Sequence, residues 1–360
     1  MNRYYLFTIT ISFFVLISTI IINGAEEEKN NKNNSIQQNL KTTTTQAKSS
    51  SFNIAVTSDW GCEEDAKKTS QNIQEKSPEL VIAPGDLSYE GSSQCWVDII
   101  SPFKSKLMIS MGDHEYSDTQ GGISGVIRDY LSPLDLPKTY YAFDFRNVHF
   151  VAIDPYVDYK PGSDQYQFIE NDLMNTASDP KIDWIFVMEH VPMYTSPSKH
   201  PADPTIRDVF HPLFDEYGVD LVFSGDNHNY QRTFPLKYNN NNGDSSNPII
   251  LLDARTNNYK DIGVIYAIAG TAGRSHYEIK EQAPFVAKQD DKHFGFLNID
   301  ISGSTLKGTF YANDIKLPRY YYVDYQNNII DQFTISKTNE PNNGFENLKF
   351  YLTMLIILTV

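Results

Sequence analysis

Cysteine is nearly missing from this chain: its 360 residues include only two, Cys62 and Cys95. Metal chemistry here must therefore rest on oxygen and nitrogen donors, which suit hard or borderline ions such as Fe, Mn, Zn or Mg. Positive charge is also scarce. Lys and Arg number 30 against 45 Asp and Glu, for a formal net charge of -15 and a pI near 4.9. Such a balance argues against a protein that tracks a phosphate backbone, so no nucleic-acid binding is expected. An anionic substrate would have to be drawn by something local, such as a metal. No internal repeat of about 20 to 50 residues is present, which excludes a solenoid or propeller. The length allows one large domain, or two small ones, with a buried core.

The two ends carry the long apolar runs. Residues 1–25 join Arg3, an apolar stretch from Leu6 to Ile22, and the small residues Gly24 and Ala25, the pattern of a secretory signal peptide. The stretch is long for such a signal, and an uncleaved membrane anchor is the alternative. Residues 26–50 are Glu, Asn, Lys, Gln and Thr with few apolar side chains, a disordered polar spacer. One glycosylation sequon, Asn33-Asn34-Ser35, falls in it. Residues 336–360 form a polar spacer and an apolar tail from Phe350 to Val360, which suits a glycolipid-anchor signal attached near Asn342 to Gly344 or a plain tail. Either terminus could thus tether the protein to a membrane. The body is expected in the secretory pathway, as a secreted, lysosomal, vacuolar or cell-surface protein. In that compartment an isolated cysteine pair usually forms a bridge.

From residue 51 to 335 the texture is that of one folded domain. Short apolar runs, "FNIAVTSD", "ELVIAPGD", "KLMISMGD", "DWIFVMEH" and "VDLVFSGD", are interleaved with helical segments at 63–76, 95–103 and 203–217. This alternation indicates α/β layering. Further strands are read at 140–145, 148–153, 264–269, 294–301 and 306–311, several without intervening helices, so part of the sheet system is antiparallel. The run "KYNNNNGDSSN" is an inserted loop.

Five of the apolar runs share an ending: a small residue, then an acid or histidine. They supply Asp59 in "SDWG", Asp86 in "PGDLSYEG", Asp113 and His114 in "MGDHE", His190 in "MEHVP", and Asp226 and His228 in "SGDNH". In open α/β sheets ligands bind beyond the carboxyl ends of strands, so five such endings converge on one crevice. A single Gly-Asp ending is an ordinary turn; five in order make a metal site.

The order and spelling of these stretches resemble the metallophosphoesterases, whose signature runs DxG, GDxxY, GNH(D/E), a histidine after an apolar strand, and GHxH. Tyr89, three residues past Asp86, is the mark of the purple acid phosphatase branch of this calcineurin-like superfamily. The likeness extends through "TYYAFDFRNVHFVAID", "DQYQFIENDL" and "GVIYAIAGTAG" and so covers roughly residues 52 to 335. It implies an α/β fold, a four-layer α/β/β/α metallophosphoesterase sandwich. It implies a dinuclear-metal acid phosphatase hydrolysing phosphomonoesters by attack of a metal-bound hydroxide. Asp59, Tyr89 and His228 would hold Fe(III), Asp86 would bridge, and Asp113, His190 and Asp226 would hold a divalent Fe, Zn or Mn ion. His114 and His200 would be the catalytic, substrate-facing histidines, and Lys199 a substrate-binding cation. Cys62 and Cys95 would brace the rim of the site as a disulfide, or remain a pair of thiols. His149, His211, His276 and His293 match no motif and are read as packing or surface; Glu63 and Glu64 are a solvated helix start.

Two positions depart from the family. Asp113 stands where it has Asn and Asp226 where it has His, and both changes concern the second metal. Each replaces a neutral donor by an anion. With Asp59, Asp86, Tyr89, Asp113 and Asp226 all ionised, a trivalent–divalent pair with a bridging hydroxide loses its net positive charge. Two charges ~4 Å apart interact by roughly 4 kcal/mol at an effective dielectric of 20, enough to weaken attraction for a phosphate dianion. Asp is also shorter than His, so reach to the second ion is in question. The alternative function is therefore a catalytically impaired metallophosphoesterase-like protein serving as a tethered scaffold or binding protein.

Overall fold

The structure, a computed structural model, describes residues 51–251, 258–260, 263–313 and 328–337. The signal-peptide, spacer, sequon and C-terminal-tail expectations lie outside these residues. Among the described residues no helix is long and apolar enough to cross a membrane.

The chain opens with strand β1 (Phe52–Val56), helix α1 (Glu64–Lys76), β2 (Leu80–Pro84), helix α2 (Gln94–Ile100) and β3 (Leu107–Ser110). After β4 (Tyr141–Phe145) and β5 (Val148–Ala152) come helix α3 (Asp164–Thr176), β6 (Trp184–Met188), helix α4 (Pro204–Tyr217) and β7 (Leu221–Ser224). The remainder is β8 (Tyr230–Thr233), β9 (Leu236–Lys237), β10 (Ile249–Ile250), β11 (Asn258–Lys260), β12 (Ile265–Ala269), β13 (Val286–Asp290), β14 (Gly295–Ser302), β15 (Thr305–Ala312) and β16 (Ile329–Ser336).

Two seven-stranded sheets result, ordered β11-β16-β15-β14-β1-β2-β3 and β13-β8-β12-β7-β6-β5-β4, beside the small β9–β10 pair. The strands that end in the motifs pair in parallel: β1 with β2 and β2 with β3 in one sheet, β5 with β6, β6 with β7 and β7 with β12 in the other. They read as continuous apolar runs because both of their faces are covered. Ile54, Val56, Ile82, Phe150, Phe186 and Phe223 meet in one core between the sheets. Their neighbours of opposite parity face outward. Ala55, Val81 and Ala83 pack with Ala66, Ile73, Trp96 and Ile100 of α1 and α2. Val151, Val187 and Val222 pack with Ile169, Leu173, Phe210 and Phe214 of α3 and α4. The period-two alternation of side chains thus builds helix, sheet, sheet and helix in turn, the four-layer α/β/β/α sandwich.

Helix α4 shows how local sequence sets such an element. Asp203 accepts the N–H groups of Thr205 and Ile206, Pro204 occupies the first turn, and Gly218 ends the helix at φ 74°. Parallel stacking then leaves the carboxyl ends of β1, β2 and β3 facing those of β6 and β7.

Candidate metal centre

Four of the seven candidate ligands sit in a backbone conformation that ordinary residues avoid. Of the seven non-glycine residues with positive φ among those described, four are Asp59, Asp86, Tyr89 and Asp226. That conformation costs energy for most L-residues, though Asp tolerates it best, and its concentration at one crevice marks a site held by its surroundings. Close approach adds a second constraint. A Cβ on Gly112 would run into the Asp86 carboxylate, and one on Gly225 into that of Asp59. Only glycine lets these two loops come together.

The ligand atoms fall into two adjoining groups. In the first, the Tyr89 hydroxyl lies 3.0 Å from Asp59 Oδ1 and 3.0 Å from His228 Nε2, and His228 Nε2 is 3.4 Å from Asp59 Oδ1. In the second, His190 Nε2 is 3.3 Å from Asp86 Oδ1 and 3.6 Å from Asp113 Oδ1. Asp113, His190 and Asp226 offer atoms that all lie within 4.8 Å of one another, as do Asp59, Asp86 and His190. Asp226 is thus brought to the second group despite its short side chain.

Backbone carbonyls fix which imidazole nitrogen faces inward. Nδ1 of His190 is 2.9 Å from the Pro84 carbonyl, and Nδ1 of His228 is 2.8 Å from that of Ser275. A carbonyl only accepts, so each Nδ1 carries the proton and each Nε2 is turned to the carboxylates. His190 Nε2 is wholly buried and has no hydrogen-bond partner. Tyr89 has one proton for two acceptors. Among the described residues no lysine or arginine ion pair reaches Asp59, Asp86, Asp113 or Asp226; their charged partners are histidines. Four carboxylates, a phenol and two inward-turned imidazole nitrogens crowded around so few protons are what a pair of cations would satisfy, so the residues fit the group.

The electrostatics of these side chains agree. Burial, reinforced by the charges of Asp86 and Asp226, pushes the Asp59 carboxyl up to about 8. Burial also raises Asp86, but the charge of His190 beside it outweighs burial and holds the group below the usual carboxylate range. The two histidines diverge: burial holds His228 down to about 3, whereas Asp86 and Asp113 overcome burial and raise His190. Burial and the charges of Asp59 and Asp86 raise the Tyr89 phenol well above its ordinary value. A phenolate there needs a compensating cation.

Around the ligands stand the other residues singled out in the sequence. His114 Nδ1 is 2.5 Å from Asp118 Oδ2, and its Nε2 is 3.9 Å from Asp86 Oδ2. His200 Nδ1 is 3.6 Å from Asp226 Oδ1. Lys199 turns aside: its Nζ donates to the Tyr277 hydroxyl at 2.8 Å. Cys62 and Cys95 are disulfide-bonded, with Cα atoms 5.9 Å apart, so of the two alternatives the bridge is present. Glu63 pairs with Arg274. His149 and His211 are buried, His276 stacks on Phe294, and His293 faces Asp290.

Three contributors escaped the sequence reading. Glu115 is fully buried and accepts the N–H groups of Asp86, Leu87 and Gly112 at 2.9, 2.8 and 2.7 Å, tying two motif loops together. Its place directly after Asp113-His114 was the available signal. Tyr277 stacks on His228 with ring centroids 3.8 Å apart, and Asp118 stands behind His114; nothing local announced either.

Comparison with known proteins places this arrangement. The calcineurin-like phosphoesterase family model matches residues 52–230. Probable purple acid phosphatase 20 of Arabidopsis thaliana is 29% identical over 198 residues, covering 50% of this chain and 46% of that protein. Purple acid phosphatase 22 of the same plant is 31% identical over 204 residues, covering 52% and 46%. This chain therefore spans less than half the length of these relatives. Purple acid phosphatase PPD1 from yellow lupin (Lupinus luteus) seeds superimposes with a TM-score of 0.65 at 23% identity, over 81% of this chain and 55% of that one, a likeness of fold. By its motifs, its matched residues and these relatives, the chain belongs to the calcineurin-like phosphoesterases, on their purple acid phosphatase branch.

Proposed function

We propose that this protein is a two-metal acid phosphatase acting on phosphomonoesters. The observation that carries the reading is the pair of carbonyl-anchored imidazoles, His190 and His228, each of which turns its Nε2 toward a carboxylate of the site. Asp59, Tyr89 and His228 would hold the first ion, Fe(III), Asp86 would be shared between the two ions, and Asp113, His190 and Asp226 would hold the second, divalent ion. When bound, the ions supply the positive charge that clamps phosphate oxygens and activates the attacking water.

The rest belongs to the chain itself. Asp118 holds Nδ1 of His114, leaving Nε2 toward the crevice, where it hands a proton to the departing alcohol oxygen. His200 contacts the phosphate from beside Asp226. Lys199, held on Tyr277, adds a cation at the rim. The domain occupies residues 51–335 and is exported.

The test is metal analysis with aryl-phosphate turnover between about pH 4 and 8. Two bound ions and turnover that Asp86→Ala abolishes are expected. A protein that binds two ions and turns nothing over, yet gains activity as Asp113→Asn/Asp226→His, would instead be the impaired, tethered scaffold. The two extra carboxylates at the second ion favour that second reading.

A further inference from the structure

Resting on the two-metal reading, the second position has a property that the reading alone does not contain. Its donors are Oδ1 of Asp86 and of Asp113, a carboxylate oxygen of Asp226, and Nε2 of His190. Ions of this class sit about 2.0–2.2 Å from each ligand atom, so two atoms sharing one ion lie no more than about 4.4 Å apart. The separations of 3.3 and 3.6 Å from His190 Nε2 meet that limit. His190 Nε2 is the buried, unpartnered atom aimed into the group, so the carboxylates are not merely an acidic surface cluster.

We propose that this second position is a hard-ion site, in which three carboxylates and a single imidazole favour manganese over zinc relative to a site with neutral donors at 113 and 226. The argument is one of donor chemistry. Affinity of any such site rises from manganese toward zinc along the divalent series, and imidazole steepens that rise while carboxylate oxygen flattens it. Carboxylate, carbonyl and water donors suit Mg, Ca and Mn, whereas imidazole suits Zn, Cu and Ni. Asp113 and Asp226 remove one imidazole and add two negative charges, and both changes act in the same direction. The fold commits Asp226 to this place: φ of 63° turns its side chain off the end of β7, and Gly225 allows the Asp59 loop to close behind it. His200, 3.6 Å from Asp226 Oδ1, also faces that carboxylate, so imidazole remains close by without joining the donor set.

The experiment is competitive ion binding to the full chain, stripped and then loaded at the first position with iron. Manganese occupancy is followed by electron paramagnetic resonance and total metal by elemental analysis, with zinc as competitor. The ratio of zinc to manganese affinity at the second position should rise by roughly tenfold or more in Asp113→Asn/Asp226→His. Asp226→Asn, which removes one charge without changing size, should move the ratio the same way by less. Circular dichroism establishes that each variant is folded. An unchanged or falling ratio in a folded variant that binds two ions overturns the hard-ion assignment and leaves the two-metal reading standing. Failure of the native chain to take any second ion, manganese or zinc, overturns both.

Discussion

Glu115 shows how a side chain that touches no substrate can govern the site. Three backbone donors converge on its carboxylate, two from the loop that carries Asp86 and one from the loop that carries Asp113. Burial raises its pKa to about 7, with the Asp86 charge adding and the bonds from Leu87 and Gly112 opposing. Glu115→Ala strands three buried donors, each costing roughly 1–3 kcal/mol. The expected loss is about 3 kcal/mol or more of unfolding free energy in urea. Metal affinity measured by calorimetry should fall about 10- to 100-fold, as for other residues that orient ligands. Asp118 is a positioning residue of another kind. Asp118→Asn keeps the shape but weakens the hold on His114 Nδ1. Turnover of aryl phosphate should drop by about ten- to a hundredfold with KM little changed, part of the roughly 10²–10⁴ that a placed proton donor supplies. An unaltered kcat would remove His114 from the proton-donor role.

At the scale of elements, what could be read from the sequence was whatever lies within a few residues along the chain. The five apolar runs and their Asp or His endings are local patterns, and β1, β2, β3, β6 and β7 form where they indicate. Helices α1, α2 and α4 fall within or beside the expected spans. Elements whose burial depends on distant partners went unread. Strand β16, "IIDQFTIS", puts Asp331 on the same inward face as Phe333 and Ile335. A charge there spoils the alternation unless its partner is known, and that partner, Arg232, is 99 residues away. β8 hides for the matching reason. His149 is a third instance: nothing near it in sequence signals that β5 carries a pH-sensitive tie. Its Nδ1 meets Asp144 of β4 at 2.6 Å and its Nε2 meets Asp172 of α3 at 2.7 Å. Burial disfavours the imidazolium, but the bonds to both carboxylates prevail and raise its pKa. A raised folded value means that the stabilisation is complete below the unfolded pKa near 6.5 and is lost as pH climbs through the folded one. Melting temperature should therefore fall as pH rises above about 6.5, and His149→Gln should remove that part of the slope. An identical pH profile in the variant would exclude the tie as its source.

For the molecule as a whole, the question is what keeps two sheets in register so that the strand ends of one face those of the other. Apolar contact is not directional. Directionality comes from a polar cluster inside the intersheet core. Arg232 of β8, fully buried, donates to Asp331 of β16 through Nε at 2.6 Å and Nη2 at 3.0 Å, and the Tyr230 hydroxyl donates to the same carboxylate at 2.8 Å. Beside it Tyr230 stacks on Phe310 of β15, ring centroids 4.2 Å apart. These contacts join opposite sheets two to four residues beyond His228, so they set the sheet spacing next to that candidate ligand. Breaking one partner leaves a buried charge: Asp331→Ala should cost about 3–5 kcal/mol in urea unfolding. Replacing both partners by apolar residues of similar volume, as in Arg232→Met/Asp331→Leu, removes the charges together and should cost far less, or even stabilise. If the cluster supplies register as well as stability, the double variant should fold as tightly as the native chain yet bind the first ion more weakly. Equal stability with unchanged ion affinity would show that the apolar core alone sets the spacing.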